Sequence, residues 1–111
     1  MRLKPVMEYV GKLVGEFRPE SVILFGSLAE GRATSGSDVD LMVVMNRSRN
    51  EADSALEIRR RIPRVFPLDL IVKTPGEVRR CLRERDGFIC SIIEHGKVLY
   101  EKQRKGLASK S

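Results

Sequence analysis

The stretch FGSLAEGRATSGSDVDLMVV, residues 25–44, decides how this sequence is read. An apolar run, Ser21-Val-Ile-Leu-Phe25, stops at Gly26-Ser27. Ten residues later, Asp38-Val39-Asp40 opens a second apolar run that reaches Met45. Both runs are short, rich in Val, Ile and Leu, and bounded by Gly, Ser or Asp, which is the pattern of buried strands. Between them, Ser27 to Arg32 has room for a turn or two of helix, and Thr34-Ser35-Gly36-Ser37 reads as a polar loop. Two aspartates at the mouth of a strand repel each other, so their spacing asks for a reason other than folding.

Working outward, Leu3, Val6, Met7, Val10, Leu13, Val14 and Phe17 keep offsets of three and four and predict an amphipathic helix over 3–17. Asn50 caps a helix over 51–62, which Pro63 stops. A third strand follows over 67–72. Thr74-Pro75-Gly76-Glu77 is a capping-box start for a helix to about Arg85. A short helix from Phe88 to His95 ends at Gly96, and Lys97 to Tyr100 makes a last strand. The chain is read as one domain over 1–100, followed by a frayed basic tail over 101–111 that lacks apolar periodicity.

With 111 residues, 41% hydrophobic and 32% charged, the chain has the size and composition of one folded domain rather than a disordered or membrane protein. No apolar stretch approaches the ~18 residues of a membrane span, and the start MRLKPVMEYV is interrupted where a signal peptide is continuously apolar, so the expected location is the cytoplasm. Cys81 and Cys90 have neither redox-pair nor zinc-site spacing and read as reduced thiols. A net charge of +6 favours anionic partners: nucleotides, nucleic acid or an acidic protein. The arginine clusters fall on predicted helices, where a solvated face is the simpler reading. With 5% aromatic residues and no Trp, the chain lacks the interleaved rings of single-strand binders. His95, before Gly96, suits a helix C-terminus.

Alternate residues of a strand share a side at a spacing of roughly 6–7 Å. Asp38 and Asp40 can therefore converge on a cation while Val39 faces the core. Carboxylates this close raise each other's pKa unless positive charge intervenes, and oxygen donors without His or Cys point to magnesium or manganese. Asp69 interrupts an apolar strand, where an unpaired buried carboxylate is costly. If its strand neighbours that of Asp38 and Asp40, the three make a cluster able to hold two metals ~3.5–4 Å apart for displacement at phosphorus. Gly26-Ser27, between strand and short helix, lets backbone N–H groups approach phosphate oxygens. Each part has a plainer reading: an ordinary turn at Gly26-Ser27, local backbone bonding by Asp38 and Asp40, and edge exposure of Asp69 beside Pro67.

Taken together, Gly26-Ser27, the ten-residue spacing, Asp38-Val39-Asp40, Gly31 and Asp69 resemble the signature of the polymerase beta-like nucleotidyltransferases. The fit is closest to the short members called minimal nucleotidyltransferases, often paired with a helical HEPN protein. The resemblance implies an α/β (α+β) fold, a mixed sheet with helices packed mainly on one side. It also implies transfer of a nucleoside monophosphate, AMP from ATP foremost, to a hydroxyl with release of pyrophosphate. By position, Asp38, Asp40 and Asp69 would be catalytic and hold magnesium (or manganese), and Gly26 and Ser27 would bind the nucleotide's phosphates. Leu28 and Glu30 depart from the pattern, since relatives often carry arginine there. The implied role is antitoxin to a HEPN toxin, in some cases by modifying its tyrosine. Two alternatives stand beside it: a non-catalytic module that neutralises a HEPN-type partner, and a nucleic-acid-binding domain. The partner expectations are thus a nucleoside triphosphate and a HEPN-type protein, with nucleic acid less favoured, no membrane, and self-association left open.

Overall fold

The structure, a computed structural model, describes residues 3–32, 38–47 and 50–102. Its elements run α1 (Leu3–Phe17), β1 (Ser21–Phe25), α2 (Gly26–Ala29), β2 (Val39–Val44), α3 (Glu51–Arg61), β3 (Leu68–Lys73), α4 (Pro75–Arg83), α5 (Gly87–His95) and β4 (Lys97–Glu101). This is the order expected from the sequence, with ends shifted by a residue or two. The loop over 34–37 and the tail beyond 102 lie outside the described residues; Glu101 still belongs to β4, and Lys102 N–H donates to the Glu20 carbonyl at 2.8 Å.

Local chemistry sets the boundaries. The Asn50 side chain accepts from Asp53 N–H at 2.8 Å and starts α3. Thr74 and Glu77 exchange side-chain-to-backbone bonds, the expected capping box at α4. Asp86 accepts from Phe88 and Ile89 N–H and caps α5. Gly96 does end α5, but not through a left-handed turn: its φ is −79° and ψ 171°. It is needed because a β-carbon there would come within 2.8 Å of Ile23 Cγ2 and 2.9 Å of the Leu24 carbonyl, where α5 closes on β1.

The sheet order is β3-β2-β1-β4. β1 is antiparallel to β2 and β4, while β3 lies parallel to β2 because α3 carries the chain back across the sheet. The larger core lies on one face, where Val22, Leu24, Val39, Leu41, Val43 and Leu70 pack under α1 and α3. A smaller core of Ile23, Met42 and Val44 with Ile89 and Ile92 of α5 lies on the other. The expected mixed sheet is present; the larger helical layer is on one side as anticipated, and α4 and α5 cover part of the second face. The buried Tyr9 hydroxyl donates to the Ile62 carbonyl at 3.1 Å and ties α1 to the end of α3, while Arg47, just after β2, grips Glu77 of α4 with two bonds of 2.7 and 2.9 Å.

Candidate active site

Strand parity places the aspartates. In β2, Val39, Leu41 and Val43 point into the larger core, so Asp40 shares the second face with Met42 and Val44. In β3, Leu68, Leu70 and Val72 do the same and leave Asp69 on the second face with Ile71. The parallel register pairs Asp40 with Asp69 directly. Val39 N–H donates to the Pro67 carbonyl at 2.9 Å, which locks the starts of β2 and β3 together. Asp38, Asp40 and Asp69 therefore stand at one end of the sheet, at the end not covered by the second core.

Asp40 is half-buried, and its carboxyl pKa is raised, first by desolvation, then by the charges of Asp69 and Asp38. Among the described residues, nothing donates a hydrogen bond or forms an ion pair to any of the three carboxylates. Asp69 is exposed on the edge strand, so the expectation that burial would force a partner on it is corrected: water solvates it and no desolvation penalty arises.

Gly26 is bound up with Asp40. Phe25 pairs with Asp40 across β1 and β2, and Gly26 follows with φ +79°, a left-handed conformation that suits glycine. A β-carbon on Gly26 would overlap Asp40 Oδ2 and come within 3.1 Å of Asp40 Cγ. Glycine thus leaves the space that the carboxylate fills. Ser27 follows it in α2, partly accessible. Gly31, with φ +75°, turns the chain after α2.

Oxygen-only donors on adjacent strand positions, sensing each other's charge, fit a hard divalent cation by chemistry. As the side chains stand, Asp40 leans over Gly26 toward β1 while Asp69 lies on β3, and no three acidic, His or Cys groups among the described residues are gathered closely enough to enclose a metal. The strands bring the donors to one place; the side chains do not close a cage.

The loop departures also have structural reasons. Leu28 packs on the larger core, and Glu30 accepts from Arg32 at 2.8 and 3.2 Å in an exposed pair, so that arginine is engaged locally. The α3 arginines are held too: Arg59 bonds the Leu68 carbonyl, Arg60 pairs with Glu57, and Arg61 pairs with Glu16 over the Phe17 ring. Sequence reasoning missed a groove beside Gly26, lined by Phe25, Phe88, Ser91 and His95, since no motif marks residues that far apart. No helix of the described residues is long and apolar enough to cross a membrane.

Comparison with solved structures finds a candidate nucleotidyltransferase from Sulfolobus solfataricus, 25% identical, with a TM-score of 0.65 over 90% of this chain and 80% of that one. A chain from the crystal structure of a toxin–antitoxin with AMP-PNP is 20% identical, with a TM-score of 0.55 over 92% and 78% of the two chains. No curated protein sequence matches. The family model described as "Polymerase beta, Nucleotidyltransferase" matches residues 10–105, which takes in both strand motifs and every element from late α1 to β4. The chain therefore belongs to the polymerase beta nucleotidyltransferase family, built on a mixed four-stranded sheet.

Proposed function

We propose that this enzyme transfers AMP from magnesium-bound ATP to a hydroxyl of a protein partner, a tyrosine of a HEPN-type toxin being the favoured acceptor, in the cytoplasm. The observation that carries the reading is the direct pairing of Asp40 with Asp69 beside Gly26, three strands' worth of sequence meeting at one sheet end. The likeness to a chain of a toxin–antitoxin structure that includes AMP-PNP supports the choice of nucleotide and of a protein partner.

Asp38, Asp40 and Asp69 would hold the magnesium, which when bound neutralises phosphate charge and polarises the α-phosphorus. Gly26 and Ser27 would bind the nucleotide's phosphates through backbone N–H groups and the Ser27 hydroxyl. Asp69, exposed on the edge strand, takes the proton of the incoming hydroxyl. The acceptor oxygen bonds the α-phosphorus, the α–β bridge breaks, and pyrophosphate leaves. Among the described residues no cation pairs with these aspartates, which suits this use, since no ion pair there has to be broken before the nucleotide enters.

A second reading is a module that neutralises a HEPN-type partner by contact alone. Incubation with magnesium, α-labelled ATP and a HEPN-type protein encoded beside the gene separates the two. Label on the partner supports transfer. Tight association without label, and with Asp40→Asn equally able to neutralise, supports the module.

A further inference from the structure

The groove beside Gly26 has a volume of about 220 Å³ and lies on the second face of the sheet, between α5 and the end of β1. One wall is aromatic. Phe88, 55% exposed, meets Phe25 edge to face with ring centroids 5.8 Å apart and planes at 85°. The rim is polar: Ser91 makes no hydrogen bond among the described residues, and His95 meets only Glu94, at 3.7 Å. The wall is held in place by Gly96, whose missing side chain lets α5 close against Ile23 and Leu24.

Resting on the reading above, we infer that this groove receives the base of the donor nucleotide, which lies against Phe88 with its edge toward Ser91 and His95. Size is the first argument. The groove is smaller than the ~300–1,000 Å³ clefts of drug-sized ligands, so it takes one ring system rather than a whole nucleotide. Chemistry is the second: a heterocyclic base offers apolar faces and an edge of donors and acceptors, matching an aromatic wall with a polar rim.

Position is the third. Gly26 lines the groove and also abuts Asp40, so the groove is continuous with the phosphate end of the site. Sheet order puts Asp69 on β3, across β2 from β1. The groove is thus on the side of Asp40 away from the group that faces the acceptor. A base rather than an acceptor belongs there, and Phe88, Ser91 and His95 become the residues that set nucleotide preference.

Equilibrium binding of ATP and of inorganic tripolyphosphate, each with magnesium, tests this on the full chain and on Phe88→Ala and Ser91→Phe. The first variant removes the wall and the second fills the groove; both positions are exposed, and circular dichroism checks that both fold. The expected result is ATP affinity lowered about 5- to 100-fold in both, with tripolyphosphate affinity unchanged. Unchanged ATP affinity in folded variants overturns the inference and leaves the transferase reading intact, as does an equal loss for both ligands. A parent chain that binds neither ligand overturns the transferase reading itself.

Discussion

On one face of the sheet, Val39, Leu41 and Val43 of β2 lie buried under α1 and α3; on the other, Met42 and Val44 share their side with Asp40. The same strands build both. The first face is apolar along its length, and its residues answer only to packing. The second is divided: a small core under α4 and α5, then an acid end where Asp40 is half-buried and unpaired among the described residues. The difference teaches where this fold concentrates stability and where it gives some up. Like charges on neighbouring strands oppose folding, and their retention beside a packed core points to use rather than structure.

The contrast is sharpest at Leu41, fully buried in the larger core and next in sequence to Asp40. Leu41→Ala is expected to cost about 2–5 kcal/mol by lost burial and cavity formation, measured by urea unfolding. A cost below that range would mean the first face is packed more loosely than described.

Gly26→Ala comes next, and joins the two faces' logic. Its left-handed backbone alone should cost about 1–2 kcal/mol. The added carbon also displaces the Asp40 carboxylate, so nucleotidyl transfer should fall by roughly 100-fold or more. Thermal unfolding and a transfer assay on the same preparation check both effects.

A smaller effect is expected at the Arg47–Glu77 clamp. Glu77 has its pKa pulled from 4.5 to about 2, chiefly by the Arg47 hydrogen bonds and then by Thr74 N–H. A folded value below the ordinary one means the contribution is complete above pH 4.5 and is lost as pH falls toward 2. Glu77→Gln should therefore cost up to about 1 kcal/mol at neutral pH, with the gap from the parent closing across that window. Unfolding curves at several pH values measure the gap.

Smallest for stability is Asp40→Asn. The raised pKa of Asp40 says that its charged form is disfavoured in the folded chain. With magnesium chelated, the variant should be as stable as the parent or slightly more so, while transfer is lost. Marked destabilisation in a calorimetric scan would make Asp40 a structural residue and erase the contrast between the faces.

Much of this was legible in the sequence because the strands are short apolar runs with firm punctuation. Asn50, Thr74 and Glu77 announced their helices by side-chain chemistry, and Pro63 ended one of them. The site was legible in part. Spacing brought Asp38 close to Asp40, although β2 begins only at Val39 and Asp38 precedes it, and pairing of Asp69 with Asp40 depends on the α3 crossover, which local pattern cannot fix. The exposure of Asp69 was hidden because an aspartate within Leu-Asp-Leu-Ile-Val looks buried until β3 is seen to be an edge strand. The fit of Gly26 against Asp40, and the meeting of Phe25 with Phe88, arise from tertiary approach and leave no sequence signal.

In the proposed function, the acid end of the second face performs nucleotidyl transfer. Its most direct test is incubation of the purified chain with magnesium, α-labelled ATP and a HEPN-type protein encoded beside its gene, alongside the Asp38→Ala/Asp40→Ala double variant. Label joined covalently to the partner is expected with the parent, none with the double variant, and none when magnesium is chelated. Equal labelling by parent and double variant, or tight partner association with no labelling at all, would contradict it.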